Sequence, residues 1–149
     1  MSLDFEKFAR KGNEFLHEIA HELGHENDRA KAGRKLRSIL HSIRDQITIE
    51  ESIQLISQLP MFLKAVYVEN WKVSNTKKRI KHLKEYISTV KKYEAPTAEV
   101  DFINDDEILI ATEVIFFVLQ RYISKGEMDD IISVLPKELK NLLRNEIVY

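Results

Sequence analysis

The residues of this chain that could do chemistry stand out first in its N-terminal segment. His17, Glu18 and His21 form the pattern His-Glu-x-x-His. Histidines four residues apart share one face of a helix and can bind zinc together, while the glutamate can activate a metal-bound water as a general base. The residue types and their spacing therefore raise the hypothesis of a metal-dependent hydrolase, with His17 and His21 as metal ligands.

The surroundings of this pattern argue against a peptidase. The longer form of the motif places a third histidine where this chain has Asn27, and few residues precede His17 to build a substrate-binding sheet. At about 100° per residue, His17 and His21 lie about 100° and 140° from Leu16 on the helix surface. The apolar residues cluster around Leu16, so the histidines point away from the core. We therefore expect a solvated helix face with no catalytic residue and no cofactor; adventitious metal binding by the two histidines is the alternative.

A second candidate is a basic segment in the middle of the chain, predicted to be a helix over residues 77–92. Such a helix could follow phosphate groups, so a weak nucleic-acid binder is the alternative function. No helix-turn-helix or RNA-binding aromatic motif accompanies it, and the acidic residues that follow could balance its charge on a solvated face. The basic residues of this possible binding surface are Lys77, Lys78, Arg79, Lys81 and Lys84.

Composition limits the class of protein that these segments belong to. The chain has 149 residues, 44% of them apolar and 32% charged, with a net charge of −1, which fits one soluble domain over residues 1–149. The absence of cysteine excludes disulfides, thiolate metal sites and cysteine nucleophiles. No apolar run reaches the roughly 20 residues of a membrane span, and no signal peptide is visible, so we expect no membrane contact and a cytoplasmic location.

The elements that would position these residues are helices. Four glycines and three prolines leave long stretches of helical periodicity. The first stripe runs through Phe5, Phe8 and Leu16 to a stop at Gly24. Asn27 or Asp28 is suited to cap the next helix, and residues 94–104 are predicted to form a long loop.

The second half of the chain repeats the first with a shift of 76 residues. From residue 39 to 66, matched to 115 to 142, nine of 28 positions are identical. Thr48 and Glu51 fall on Ser124 and Glu127, and both pairs have the spacing of a capping box at a helix start. These shared motifs are typical of architecture, so we predict two halves, at about residues 13–72 and 77–146.

Short motifs in a fixed order resemble a known family. They cover roughly residues 13 to 146 and are similar to the bacterial proteins catalogued as domain of unknown function 2267. The resemblance implies a helical two-repeat fold and carries over no catalytic residue. The motifs are Phe15-Leu16, Ile19-Ala20, Leu23-Gly24, Asp28-Arg29-Ala30, Leu36-Arg37, Leu40, Ile43-Arg44-Asp45, Gln58-Leu59-Pro60, Tyr67 with Trp71, Ile123-Ser124, Gly126-Glu127, Leu135-Pro136 and Leu139.

Together these patterns predict an all-α protein, a helical bundle of two pseudo-repeats with about four helices each. The leading functional hypothesis is a non-enzymatic helical interaction or scaffolding protein with a protein partner of unknown identity. The weak nucleic-acid binder comes second, and the metal-dependent hydrolase comes third.

Overall fold

The computed structural model describes residues 2–73 and 82–146, and these form nine helices and no strand. The predicted all-α class is confirmed. The helices are α1 (Phe5–Glu22), α2 (Arg29–Gln46), α3 (Ile49–Gln58), α4 (Met61–Val68), α5 (Leu83–Glu94), α6 (Ala98–Asp101), α7 (Asp105–Leu119), α8 (Lys125–Ser133) and α9 (Lys137–Glu146).

Local sequence determines where α3 and α8 begin. The Thr48 hydroxyl accepts the amide hydrogen of Glu51 at 3.1 Å, and the Glu51 carboxylate accepts that of Thr48 at 2.9 Å. Ser124 and Glu127 make the same two bonds at 3.1 and 2.8 Å. Both predicted capping boxes are confirmed, while the arrangement of the chain as two pseudo-repeats remains a prediction.

α1 ends where the sequence predicts it, and the reason is the backbone of Gly24. This residue has a φ of 75°, a left-handed conformation that glycine adopts without steric cost. The amide of Gly24 donates to the His21 carbonyl at 3.1 Å, and that of His25 donates to the Ala20 carbonyl at 2.7 Å. The turn leads directly to Asp28, whose carboxylate accepts the Lys31 amide hydrogen and caps α2.

α2 is the central helix of the fold. It packs most extensively on α5 and also contacts α1, α4 and α7. Ile39 and Ile43 are fully buried, and burial of such side chains contributes about 1.5–3 kcal/mol each. Because neighbours cover it on several sides, α2 also buries polar residues, among them Lys35, Ser38 and His41.

One part of the chain differs from the prediction, and another lies partly outside the described residues. The segment over residues 94–104 was predicted to be a loop throughout but contains the short helix α6. Of the predicted basic helix, the described part is α5, which begins at Leu83, and the preceding residues 77–81 lie outside the described residues. Within the described ranges, no helix is long and apolar enough to cross a membrane.

Candidate functional site

The histidine pattern of α1 lies at the surface, and its glutamate is already engaged. His17 and His21 are exposed, and the Nδ1 of His21 contacts the Glu26 carboxylate. The Glu18 carboxylate accepts a hydrogen bond from the Tyr122 hydroxyl at 2.9 Å, and burial together with this contact raises the pKa of Tyr122.

Arg121 reinforces the same contact between α1 and the segment after α7. Its guanidinium lies 3.2 Å from the Glu18 carboxylate and 3.3 Å from that of Glu22. Among the described residues, no group of three or more histidines and carboxylates is arranged to hold a metal ion. Glu18 therefore joins α1 to the turn that follows α7. The assignment of His17 and His21 to a solvated face remains a prediction.

The proposed nucleic-acid surface falls largely outside the described residues. Lys77, Lys78, Arg79 and Lys81 all lie there. Lys84 is exposed in the first turn of α5. Near the end of the same helix, the Nζ of Lys91 lies 2.5 Å from the Asp105 carboxylate, as expected of a balanced solvated face. The nucleic-acid alternative stays a prediction.

An open apolar concavity is formed by α1, α4 and the surface of α2 between them; we call it the α1–α4 groove. Its volume is about 540 Å³, within the usual 300–1,000 Å³ of ligand pockets. Phe5 and Met61 leave 71% and 51% of their surface exposed. The lining residues are Phe5, Phe8, Ala9, Gly12, Asn13, Phe15, Leu16, Gly33, Leu36, Arg37, Met61, Phe62, Leu63, Ala65 and Val66.

Gly12 sets the distance between the two walls of the groove. A Cβ atom at this position would lie 3.1 Å from the Cβ of Phe62, closer than ordinary van der Waals contact. The Phe62 ring also packs on Phe15 and Tyr122, with centroids 5.3 and 5.8 Å apart. The base of the groove is therefore a fixed aromatic cluster, while its rim is open to solvent.

Basic residues lie beside the groove. A neighbouring depression shares Ala9 and Asn13 with it and adds two arginines, two glutamates and a histidine: Glu6, Arg10, Glu14, His17 and Arg29. Neither arginine has an ion-pair partner within the described part of the chain. Arg37, at the groove itself, donates from Nε to the Glu69 carboxylate at 2.6 Å. The rim thus has both cations and carboxylates, and Arg10 and Arg29 are cations without an ion-pair partner among the described residues.

A buried polar cluster joins α2 to the corner between α5 and α6. Arg34 donates from Nε and Nη2 to the two carboxylate oxygens of Asp101, each at 2.8 Å. This two-point contact holds the pKa of Asp101 well below its usual range. Asp101 is 1% exposed, so an isolated charge there would be strongly unfavourable without the arginine.

Glu94 is the second carboxyl group of this cluster, and it is 3% exposed. Burial and then the neighbouring Asp101 raise its pKa to about 7. The Ser38 hydroxyl donates to Glu94 at 3.0 Å. Beside these groups lies a cavity of about 290 Å³ that also touches His41 and Tyr93. Near neutral pH, Glu94 is thus poised between its protonated and ionised forms.

Lys35 extends the cluster towards the end of α1. Its Nζ donates to His25 Nε2 at 2.9 Å and lies 4.9 Å from the centre of the Phe102 ring. Burial is the main cause that lowers the pKa of Lys35, and the charge of Lys31 adds to it. Burial and then Lys35 lower the pKa of His25. Sequence reasoning missed the whole cluster because its members come from separate helices.

Comparison with known proteins agrees with the resemblance drawn from the sequence. Residues 12–142 match the sequence model of the family described as Uncharacterized conserved protein (DUF2267). This span covers nearly all the predicted range of residues 13 to 146. No curated protein matches the chain. The family description gives no activity and no site residue, so the function has to be inferred from the geometry of this chain.

Proposed function

Because the chain belongs to the family of uncharacterised conserved proteins DUF2267, we propose its function from its own surface. It is a non-enzymatic helical interaction protein, and it holds an amphipathic helix of a protein partner in the α1–α4 groove. The observation that carries this proposal is the open apolar groove of about 540 Å³ between two helices. Helix-in-groove recognition uses this shape.

The composition of the groove supports a protein helix as the occupant. Phe5, Phe8 and Met61 offer aromatic and thioether contacts, the kinds of side chain that are enriched where proteins bind each other. The polar lining residues are Asn13 and Arg37. A partner with apolar residues at helical positions i, i+4 and i+7 would contact both walls along one side.

The excess of cations over carboxylates beside the groove favours acidic residues on the flank of that partner helix. Arg10 and Arg29 lie next to the apolar lining and have no ion-pair partner within the described residues. Lys7 and Lys11 line a second depression that shares Phe8, Met61 and Phe62 with the groove, and the Lys11 Nζ lies 4.0 Å from the exposed Glu14 carboxylate. Opposite charges across an interface favour encounter and fix orientation, so the partner helix is expected to carry acidic residues beside its apolar stripe.

The test uses a designed amphipathic peptide with a leucine stripe and glutamates on both flanks, labelled for fluorescence anisotropy. We expect it to bind the wild-type protein and to bind the Ala65→Glu variant at least about tenfold more weakly, a difference of about 1.4 kcal/mol. Ala65 is exposed and lines the groove, so the new carboxylate would meet the peptide without disturbing the core.

Two controls distinguish binding in the groove from nonspecific binding elsewhere on the surface. Ile53→Glu also introduces a glutamate at an exposed apolar residue, which is 59% exposed on α3 and away from the groove, so binding should be retained. A peptide with lysines in place of the glutamates should bind more weakly than the acidic one. The proposal fails if the acidic peptide does not bind, or if Ala65→Glu binds it as well as the wild type does.

A further inference from the structure

The outer face of α7 is apolar although no other described helix covers it. From Ile108 to Leu119 the helix has only two polar residues, Thr112 and Glu113. A helix that is apolar on all sides is normally buried on all sides. Yet Ile110 and Phe117 are 53% and 42% exposed. This face of α7 is therefore more exposed to solvent than its apolar composition predicts.

Ile110, Val114 and Phe117 form what we call the α7 ridge. They stand at positions i, i+4 and i+7, so they lie along one side of the helix. The ridge is about 10 Å long at about 1.5 Å per residue. The wall of the α1–α4 groove from Phe5 to Leu16 is about 16 Å long by the same measure. The ridge therefore fits within the groove.

The charges beside the ridge are mainly acidic. Asp105, Asp106 and Glu107 form the first turn of α7, and Asp106 has no ion-pair partner among the described residues. At the other end, Glu18 and Glu22 share a single cation, Arg121, whose guanidinium lies 5.1 Å from the centre of the Phe117 ring. This sign is opposite to the excess charge beside the groove, where, apart from the ion pair of Glu18 and Arg121, the four cations Lys7, Arg10, Lys11 and Arg29 outnumber the two carboxylates Glu6 and Glu14. Two ridges placed together would bring acidic groups against acidic groups, which is unfavourable.

We propose that the α7 ridge of one copy of this chain docks in the α1–α4 groove of a second copy. This inference rests on the proposed function and names the partner helix for the same groove. The contact uses two different surfaces, so each copy keeps one free ridge or one free groove. Contacts of this kind produce rings when the rotation closes and open chains when it does not.

The test follows self-association by sedimentation velocity and uses one variant for each surface. Ile110→Lys places a cation on the ridge, and Ala65→Glu places an anion in the groove. We expect the wild type to form larger species as concentration rises and each variant alone to associate at least about tenfold more weakly. Ile53→Lys and Ile53→Glu are the matched controls at an exposed apolar residue of α3 and should behave as the wild type does.

Mixing the two variants is the deciding step. The Ala65→Glu copy keeps its ridge and the Ile110→Lys copy keeps its groove, so together they should form a dimer of one copy each and nothing larger. Failure of the mixture to associate would overturn the inference. Association of Ala65→Glu alone, with loss in Ile110→Lys, would show ridge against ridge and would also overturn it.

A wild-type protein that stays monomeric at every concentration would overturn the inference in a different way. If such a protein still binds the designed acidic peptide, and Ala65→Glu abolishes that binding, the proposed function stands and the occupant is another protein. Loss of both self-association and peptide binding would overturn the inference and the proposed function together.

Discussion

Glu94 and Asp101 bring two carboxyl groups together beneath the corner between α5 and α6. The Arg34 guanidinium is committed to Asp101 by two hydrogen bonds of 2.8 Å, which leaves Glu94 without a cation of its own in a buried position. As the pH falls through neutrality, the cluster therefore binds a proton, and this proton is chiefly on Glu94. When Glu94 loses that proton, the cluster gains a buried negative charge that the Arg34 guanidinium does not neutralise.

The first prediction concerns the pH dependence of stability. The folded pKa of Glu94 is raised from 4.5 to about 7, so the folded state holds this proton more tightly than the unfolded state does. The contribution of this proton to the free energy of unfolding is fully present below pH 4.5 and is lost as the pH rises through about 7. The loss is on the order of 2–3 kcal/mol. Glu94→Gln removes the ionisation, so it should be more stable than the wild type above pH 7.

The measurement is the free energy of unfolding by urea at several pH values between 5 and 8. His25 and His41 have lowered pKa values, so they contribute a slope of opposite sign, which is common to both proteins and cancels in their difference. Glu99→Gln, at an exposed carboxylate on α6, is the matched control. If the difference in the free energy of unfolding between the wild type and Glu94→Gln does not change with pH, the raised pKa of Glu94 is contradicted.

The second prediction concerns Glu18 and the metal hypothesis. Since its carboxylate binds Tyr122 and Arg121, Glu18→Gln should destabilise the fold by about 1 kcal/mol, the usual value for a lost hydrogen bond. Neither the wild type nor the variant should hydrolyse peptides in the presence of zinc. The check is zinc titration of chelator-stripped protein, followed by a peptidase assay.

Two outcomes of this experiment would support the hydrolase. They are stoichiometric tight zinc binding and hydrolysis that disappears in Glu18→Gln. His17→Ala with His21→Ala is the companion variant, because weak binding of zinc by two exposed histidines alone should vanish with it. Weak zinc binding without hydrolysis agrees with a solvated helix face.

The sequence predicts single residues well where their partners are close in the chain. Thr48 and Glu51 are three residues apart, and their capping box is present as predicted. Arg34 and Asp101 are 67 residues apart, and no local pattern marks them as partners. The sequence places Asp101 only among the acidic residues that follow the basic segment and could balance its charge. The buried cluster depends on how α2 meets α6, which periodicity alone does not determine.

At the scale of elements, the capping boxes connect sequence to structure most directly. α3 and α8 begin with the same motif, and these two helices pack on each other. Each box satisfies amide hydrogens that would otherwise lack partners at a helix start. The corners that precede both helices are therefore fixed by local hydrogen bonds in addition to packing.

The third prediction is that Thr48→Ala and Ser124→Ala each lower the free energy of unfolding by about 1 kcal/mol, through loss of an N-cap. The measurement is the shift of the urea midpoint at unchanged slope. Ser133→Ala is the matched control: its hydroxyl bonds the Asp130 carbonyl within α8, so its removal leaves no helix start uncapped. An unchanged midpoint in both cap variants would contradict the importance of the boxes.

At this scale, an apolar stripe in the sequence can also give a wrong prediction of burial, because the stripe does not show which surface covers it. The first stripe runs from Phe5 through Phe8 to Leu16, as a core-facing helix would. In the structure its N-terminal part forms the wall of the α1–α4 groove, with Phe5 exposed. An apolar stripe that faces a core and one that faces a partner have the same period.

At the scale of the whole molecule, helices from the first half of the chain pack on helices from the second. α2 from the first half packs most extensively on α5 from the second. α1 contacts α7, and α3 contacts α8. Val90 and Tyr86 of α5 are fully buried, and the Tyr86 hydroxyl bonds Thr112 of α7 at 2.7 Å. The predicted division at about residue 75 therefore cuts through continuous packing.

The last prediction is that residues 1–75 alone do not fold cooperatively. This fragment keeps α1 to α4 but loses the partners that cover α2, so an apolar surface far larger than a soluble protein normally exposes would face water. We expect partial helicity by circular dichroism and a broad, shallow urea transition followed by Trp71 fluorescence. The full chain, measured under the same conditions, should unfold in one sharp transition. A sharp transition of the fragment, at a midpoint near that of the full chain, would show that the halves are separate domains and that the single-domain prediction is wrong.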